Sequence, residues 1–308
     1  MKVSVVLCTY SLDMYDDFKE AVESLLSQTY DELEVVVVVD GTDEVYERVE
    51  DDYGGRDGVV LHLNDENLGL LRSRNKGAEL SSGDVVAFID DDAVADEEWV
   101  DELVATYQRH DALAAGGKMV PDWVAGKPSF LPEEFYWLVG VTHRGFVDDE
   151  EEQEVRNTFG SNISFRRDVF LKLGGFDPNI GGRKGDKNLQ GGETELCARL
   201  YDEYGERVWY NPDAEVAHKV FDYRTSKKWL LERAFWQGYS KRAMEVLVPE
   251  SGGEEDEFLG KLLLDFMPDR LRNAVVDLSL TEAKKFVMLG VLTMCVGLGY
   301  FYGISKWR

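Results

Sequence analysis

The sequence predicts an α/β protein built on a mainly parallel, Rossmann-like sheet that is flanked by helices. Short, strongly apolar stretches alternate with longer ones in which apolar residues recur at helical spacing. Leu33–Val39 ends in five consecutive valines, so both faces of this strand must be covered, as is typical of a parallel sheet. Repeated strand–helix–strand alternation implies right-handed crossover connections.

The individual elements follow from the same patterns. In chain order they are strand Val3–Cys8, helix Phe18–Leu26, strand Leu33–Val39, an acidic helix from Val45, strand Val59–Leu63, helix Leu70–Leu80, strand Val85–Asp90, a helix marked by Trp99, Leu103 and Tyr107, and strand Leu113–Val120. Pro121–Glu154 is rich in proline and aromatic residues and is expected to be irregular. Strand Phe159–Phe165 and helix Val169–Leu173 follow, and the glycine pairs at 181–182 and 191–192 indicate loops.

Composition limits the classes of function. The 308 residues carry a formal net charge of −26, with acidic residues spread along the whole chain. Nucleic-acid phosphates require basic patches, so this charge argues against a nucleic-acid partner. With 44% hydrophobic residues the chain is not a disordered polyanion. Because salt screens repulsion between acidic groups, the composition indicates a protein of a high-salt cytoplasm.

The cysteines and the N-terminus indicate a reducing compartment. Cys8, Cys197 and Cys295 are odd in number and widely separated, so they predict neither a disulfide framework nor a metal site. The chain begins almost at once with a predicted strand, and we expect no signal peptide.

The C-terminal segment has the composition of a membrane helix. Phe286–Ile304 carries no charge and is long enough to cross a bilayer. Lysines flank it at Lys284 and Lys306, and Trp307 could lie at an interface. A buried or an interfacial helix fits the same pattern, but several glycines weaken any soluble helix here. We favour membrane attachment.

The C-terminal end of the buried strand that starts at Val85 carries three carboxylates in a row. Alternate side chains of an extended chain share a face, so Asp90 and Asp92 can point the same way. Crowded carboxylates repel one another unless a cation lies between them, and hard divalent cations prefer oxygen ligands. Open α/β sheets bind ligands beyond the carboxyl ends of their strands. The sequence therefore predicts a metal-assisted site, with an ordinary acidic loop as the alternative.

Other polar residues fall at similar positions. Asp40 ends the second strand, where its carboxylate could line the same crevice as Asp90 or simply form a turn with Gly41. Arg74 offers a cation opposite these acids or an internal salt bridge. Glu193 follows Gly192 at a helix start, where the dipole stabilises a carboxylate, or where it could take a proton from a hydroxyl. His218 is either structural or a ligand.

The familiar nucleotide-binding loops are missing from the sequence. No G-x-G-x-x-G follows the first strand, and the chain contains no G-K-[ST] phosphate loop. A dinucleotide enzyme and a P-loop protein are thus disfavoured.

In order, these features resemble a family-two glycosyltransferase of the GT-A fold. The motifs that carry the resemblance are Val3–Thr9, Asp40-Gly41, Asn67-Leu68-Gly69, Ser73-Arg74-Asn75, Asp90-Asp91-Asp92, Asn162–Arg166, Gly175-Phe176-Asp177 and Gly191–Leu196. The resemblance covers about residues 1–245. It implies inverting transfer from a nucleotide-sugar, UDP-linked, with Mg²⁺ or Mn²⁺.

The resemblance also implies roles for single residues. Thr9 and Asp40 would contact the base and ribose of the nucleotide, Asp90 the ribose, and Arg74 would lie near the nucleotide. Asp92 would bind the metal, with His218 close by. Glu193 would be the catalytic base. The acid pair of the family has become Gly192-Glu193 here, so Glu195 remains an alternative base.

Composition and the C-terminal helix together resemble haloarchaeal enzymes that lengthen lipid-linked glycans for protein N-glycosylation. This implies a hexuronic acid donor such as UDP-glucuronate, a dolichol-type lipid-phosphate acceptor, and a location at the cell membrane with the catalytic domain facing the cytoplasm. Arg183 and Lys184 could meet a sugar carboxylate, and Trp236 could stack on a sugar. The basic stretch Lys227–Arg242 could face a lipid phosphate or be an ordinary solvated face.

We predict four segments from this resemblance. Residues 1–120 form the nucleotide-sugar-binding half, 121–245 the acceptor-binding and catalytic half of the same domain, 246–285 a helical connector, and 286–304 the membrane helix. The alternatives are a non-catalytic nucleotide-sugar-binding protein and a transferase acting on another polysaccharide or lipid. A haloacid-dehalogenase-like phosphatase needs its aspartates after the first strand, where Cys8-Thr9-Tyr10 stands.

Overall fold

The computed structural model describes residues 1–147, 151–184, 187–248 and 254–307, without the side chains of 182–184, 187–188 and 254–257. The strands are β1 (Val3–Thr9), β2 (Leu33–Val39), β3 (Val59–Leu63), β4 (Val85–Asp90), β5 (Ala93–Ala95), β6 (Ala114–Trp123), β7 (Gln153–Val155), β8 (Ile163–Arg166), β9 (Gly182–Lys184), β10 (Lys187–Leu189) and β11 (Val208–Val220). The α-helices are α1 (Tyr15–Leu26), α2 (Asp43–Tyr53), α3 (Leu70–Leu80), α4 (Trp99–His110), α5 (Arg167–Lys172), α6 (Gly192–Tyr204), α7 (Asp222–Thr225), α8 (Lys227–Leu247), α9 (Glu254–Lys261), α10 (Met267–Val276) and α11 (Leu280–Ile304).

These elements form two compact units. The first unit comprises Met1–Val120, Glu150–Gly181 and Gly192–His218, and the second comprises Pro121–Asp149, Gly182–Gly191 and Lys219–Arg308. The segment boundaries expected from the sequence stay a prediction.

The first unit contains the sheet. Its described residues form a nine-stranded mixed sheet in the order β3-β2-β1-β4-β8-β6-β11-β5, with β7 paired to β11. Strands β3, β2, β1 and β4 are parallel, whereas β8 is antiparallel to β4 and β6. The predicted α/β class is confirmed; the sheet that we expected to be mainly parallel is mixed, with its parallel strands gathered in one half.

Burial explains why the parallel half was readable from the sequence. The valines of β2 are at most 1% exposed, as expected for a strand covered on both faces. Helix α1 buries Phe18, Ala21, Val22 and Leu25, which share one face at helical spacing. Register then fixes the strand ends, because Thr9 lies opposite Val39 and Cys8 opposite Asp90. Since β1 lies between β2 and β4, Asp40 and Asp90 are two strands apart rather than neighbours.

The irregular regions differ most from the sequence expectation. Strand β6 continues through Pro121 to Trp123, although we expected strand pairing to stop at the proline. A proline is tolerated in a strand where its missing N–H is not needed by the ladder. The expected loop after Gly181 contains the antiparallel hairpin β9–β10.

Helices dominate the second unit. Helix α11 packs directly on α8, and the contact requires glycine on both helices. A Cβ on Gly238 would lie 1.9 Å from the carbonyl oxygen of Val296, and a Cβ on Gly299 would lie 1.8 Å from that of Phe235. Among the described residues, α11 is the helix long and apolar enough to cross a membrane, judged by length and composition.

Candidate functional site

A buried arginine joins two carboxylates in the first unit. Arg74 Nη2 donates a hydrogen bond to Asp90 Oδ1 at 2.5 Å, and Arg74 Nη1 donates to Glu193 Oε1 at 3.1 Å. The arginine side chain is 2% exposed, whereas the side chains of Asp90 and Glu193 are 30% and 26% exposed. Helix α3, the carboxyl end of β4 and the first turn of α6 each contribute one of the three. The buried guanidinium of Arg74 thus holds two carboxylates that are partly exposed to solvent.

The surroundings of Arg74 keep it charged. Its guanidinium carbon lies 6.0 Å from the ring centroid of Phe88 and 5.7 Å from that of Phe176, within cation–π range. Burial alone would lower the pKa of Arg74, but the charges of Asp90 and Glu193 raise it above its usual value. Arg74 is therefore a fixed positive charge.

Two residues that sequence reasoning missed hold this arrangement open. A Cβ on Gly160 would lie 2.2 Å from Glu193 Oε1, so only glycine leaves room for the carboxylate. Ser161 Oγ accepts a hydrogen bond from the backbone N–H of Asp90 at 2.9 Å. A glycine inside an otherwise ordered stretch signals close approach of another group, and that signal was present in the sequence.

The third aspartate of the run lies beside a histidine. Asp92 Oδ1 is 3.4 Å from His218 Nε2, and each side chain is 7% exposed. Antiparallel pairing of β5 with β11 places Ala93 opposite His218, which brings the histidine to the carboxylate. Burial, opposed by the Thr9 hydroxyl and assisted by the neighbouring charges of Asp90 and Asp92, raises the pKa of Asp91 to about 7. The region is thus short of positive charge.

This donor set fits a divalent cation that takes further ligands from a substrate. A carboxylate suits both Mn²⁺ and Mg²⁺, and Mg²⁺ usually adds substrate phosphate oxygens to one or two carboxylates. Within the described ranges no group of three His, Cys, Asp or Glu side chains could hold a metal ion. A cation here would depend on ligand oxygens from outside the protein.

Asp40 is engaged by the chain itself. Its Oδ1 accepts hydrogen bonds from the backbone N–H of Leu68 at 2.8 Å and from Asn64 Nδ2 at 2.9 Å, and its Oδ2 accepts from the N–H of Gly69 at 2.9 Å. The carboxylate thereby shapes the loop that leads into α3, the helix that carries Arg74. Thr9 ends the neighbouring strand and is 2% exposed. Nucleotide contacts for Asp40 and Thr9 stay a prediction.

Glu195, the alternative base, is tied into a structural pairing. Arg199 Nε and Nη2 donate to its two carboxylate oxygens at 2.6 and 2.7 Å. Arg199 also donates to the backbone oxygens of Leu173 and Gly175. Glu195 is 7% exposed as a residue, so its oxygens are occupied and shielded. Of the two glutamates, Glu193 is the one that is partly exposed to solvent and bound to Arg74.

The remaining predicted residues belong to the second unit. Arg183 and Lys184 form part of β9, but their side chains lie outside the described part of the chain. Trp236 lies on α8 with its ring 5.4 Å from that of Tyr239, edge to face. Their contacts with a sugar stay predictions.

A half-parallel sheet with carboxylates beyond its carboxyl ends is the arrangement of a GT-A fold, and similarity to solved glycosyltransferases supports this class. The fold is similar to that of the mannosyltransferase PcManGT of Pyrobaculum calidifontis, solved with GDP-Man and Mn²⁺, with a TM-score of 0.62 at 18% identity over 98% of this chain and 87% of that one. It is also similar to Staphylococcus aureus TarS 1–349 in complex with UDP-GlcNAc, with a TM-score of 0.54 at 16% identity over 96% of this chain and 82% of that one.

The chain belongs to glycosyl transferase family 2, whose sequence model matches residues 4–174. It is 56% identical over 305 residues to the glucosyl-dolichyl phosphate glucuronosyltransferase of Haloferax volcanii, which covers 99% of this chain and 96% of that protein. The family and the glycosyltransferase activity predicted from the sequence are confirmed.

Proposed function

We propose that this glycosyltransferase moves glucuronic acid from UDP-glucuronate to a glucosyl-dolichyl phosphate acceptor, with inversion, during assembly of lipid-linked glycans for protein N-glycosylation. The observation that carries the proposal is the Glu193 carboxylate, held at a solvent-facing position by buried Arg74. The name of the Haloferax volcanii relative, 56% identical over nearly the whole chain, supports the choice of sugar and acceptor.

Glu193 is the proposed catalytic base. Its Oε1 is fixed by Arg74, which leaves Oε2 to take the proton from the acceptor hydroxyl. A single base opposite the leaving group favours in-line displacement and therefore inversion. The structural pairing of Glu195 with Arg199 supports this choice between the two glutamates.

Asp92 and His218 are the proposed ligands of Mg²⁺ or Mn²⁺. A divalent cation, when bound, neutralises charge that develops on a diphosphate leaving group. Asp90 is proposed to accept a hydrogen bond from the ribose, while Arg74 limits its movement. Thr9 and Asp40 are proposed to line the base and ribose positions, and Arg183, Lys184 and Trp236 the sugar or acceptor positions.

The proposed location is the cell membrane, with the catalytic domain facing the cytoplasm. A dolichol-type acceptor is embedded in the bilayer, so the enzyme must work at its surface. The apolar helix α11 and the basic residues of α8 support this location.

The test is a transfer assay with the full-length protein. Glucosyl-dolichyl phosphate is incubated with UDP-glucuronate or, in parallel, with UDP-glucose, in Mn²⁺, Mg²⁺ or EDTA, and the lipid is analysed by mass spectrometry. We expect addition of one hexuronic acid, dependent on the metal and strongly reduced in Asp92→Asn. Equal use of UDP-glucose would contradict the proposed donor, and undiminished activity in EDTA would contradict the metal.

A further inference from the structure

The outer face of α11 is apolar and uncovered. Val287, Met294 and Leu298 are each 63% exposed, and Phe301 is 70% exposed. Their spacing of seven, four and three residues places all four on one side of the helix. The stripe is about 21 Å long at a rise of 1.5 Å per residue. We call these four residues the outer face; burying it would remove substantial apolar surface from water.

The turn before α11 extends this apolar surface. Val275 and Val276 at the end of α10 are 64% and 68% exposed, and Leu278 and Leu280 are 87% and 71% exposed. Leu278 adopts a left-handed backbone conformation with φ of 48°, which is strained for a residue with a Cβ. The Leu278 side chain is the most exposed of these four, so its transfer from water into an apolar phase would be favourable.

The opposite side of α11 is bound to a charged helix. Gly238 of α8 touches the backbone of Val296, which lies at the middle of the apolar segment. Glu232, Arg233, Lys241 and Arg242 lie within six residues of Gly238, which is about 9 Å along α8. If α11 crossed a bilayer, Glu232, Arg233 and Lys241 would lie within the hydrocarbon half-thickness of about 15 Å, whereas Arg242 packs against Gly303 near the end of the apolar segment. Charged side chains at that depth are strongly disfavoured.

The α8–α11 pair is amphipathic as a unit. The outer face of α11 is apolar, whereas α8 exposes Lys228 and Glu232, whose side chains are 86% and 61% exposed. Exposed Lys284 and Lys306 bracket the outer face, and the turn has exposed Arg272 beside it and exposed Asp277 within it. Basic residues at the rim of an apolar surface complement anionic lipid headgroups.

We propose that α11 lies in the plane of the bilayer surface and does not span the membrane. The outer face and the Leu278 side chain then lie among the acyl chains, whereas exposed Asp277 and helix α8 lie at headgroup level. This deepens the proposed membrane location, and it rests on that part of the proposed function. The reason is the packing of α8 on α11. If α11 spanned the membrane, either charged residues of α8 would enter the hydrocarbon region or the contacts of Gly238 and Gly299 with the facing backbone would break.

Labelling of the two ends of α11 distinguishes the orientations. The full-length protein, with Cys295→Ala as the parent, carries Thr281→Cys, Ser305→Cys or, as a reference on α8, Lys228→Cys. Sealed inside-out membrane vesicles from the producing cells are treated with a membrane-impermeant maleimide. We expect both α11 positions to be labelled as fully as the reference before detergent is added. Protection of one end until lysis would show a spanning helix and overturn the proposal.

A second measurement tests whether the outer face itself holds the membrane. Leu298→Glu should release most of the protein from sedimented membranes into the soluble fraction, whereas the matched charge change Lys228→Glu on α8 should not. Equal membrane retention of both variants, or a soluble wild-type protein whose outer face is covered by a second copy in solution, would overturn the proposal. Transfer to a detergent-solubilised acceptor separates these outcomes from failure of the proposed function.

Discussion

The two units each contain a buried arginine surrounded by carboxylates, and the difference lies in the balance of charge. In the first unit, Arg74 serves both Asp90 and Glu193. In the second unit, four carboxylates share four cations. The pairs are Glu133 with Arg270, Lys285 and Lys127, Glu134 with Arg270 and Arg144, Glu282 with Arg270 and Lys285, and Asp269 with Arg144.

This difference separates a structural cluster from a site. Glu134 is fully buried, and Arg270 Nε and Nη2 donate to its two oxygens at 3.2 and 2.9 Å. Burial opposes the charge of Arg270, but the surrounding glutamates raise its pKa well above its usual value. Such a saturated cluster ties helices α10 and α11 to Glu133 and Glu134. The Arg74 cluster keeps surplus carboxylate oxygens, which a substrate or a cation can use.

The largest expected effect is on catalysis in the first cluster. Glu193→Gln keeps the shape of the side chain and removes the proposed base, so we expect kcat to fall on the order of 1,000-fold. The measurement is transfer rate at saturating donor and acceptor. Glu203→Gln, on the exposed side of the same helix, is the matched control and should retain wild-type kcat. A similar kcat for both variants would remove Glu193 from the reaction.

The largest effect on stability should come from the second cluster. Arg270→Met leaves Glu134 buried with less compensation, and we expect the free energy of unfolding to fall by about 3–5 kcal/mol. Urea denaturation followed by tryptophan fluorescence measures the change. Arg272→Met, an exposed position on the same helix, should change little; equal losses in the two variants would mean that the cluster is not structural.

The acid sensitivity of the second cluster provides a finer test. Although burial opposes ionisation of Glu133, hydrogen bonds from Lys285, its own backbone and Arg270 lower its pKa to about 2 from 4.5. Because the folded-state pKa is the lower one, the stabilisation is present above about pH 4.5 and is lost as the pH falls toward 2. We expect the stability difference between wild type and Glu133→Gln to shrink over that window. A difference that is constant between pH 7 and pH 3 would contradict this assignment.

The smallest expected effect concerns an exposed member of the cluster. Arg144 is 43% exposed in its side chain and lies 3.0 Å from Glu134. Since Arg270 also binds Glu134, Arg144→Ala should lower the free energy of unfolding by less than about 1 kcal/mol. Chemical denaturation alongside Arg270→Met gives the comparison. A loss as large as that of Arg270→Met would show that charge balance, and not burial, decides the stability of this cluster.

Local patterns predicted much of the parallel half. Strands β2 and β3 and helix α3 have the bounds that the sequence indicated, because their apolar runs end at turn residues. Helix α1 starts at Tyr15 rather than Phe18, since its first turn carries Asp16 and Asp17 and lacks apolar periodicity. Strand β5 and the hairpin β9–β10 are three residues per strand and too short to show a period.

The sequence by itself determined the α/β class, the carboxylate run after β4 and the apolar C-terminal helix, because each is written in neighbouring residues. Tertiary structure alone decided which charges meet. Arg74 and Glu193 are 119 residues apart, and Arg270 and Glu134 are 136 apart. The tertiary structure also decided that Arg199 binds both carboxylate oxygens of Glu195 and that α8 covers one side of α11. Ion pairing and helix packing depend on distances across the fold, and a one-dimensional pattern contains no such distances.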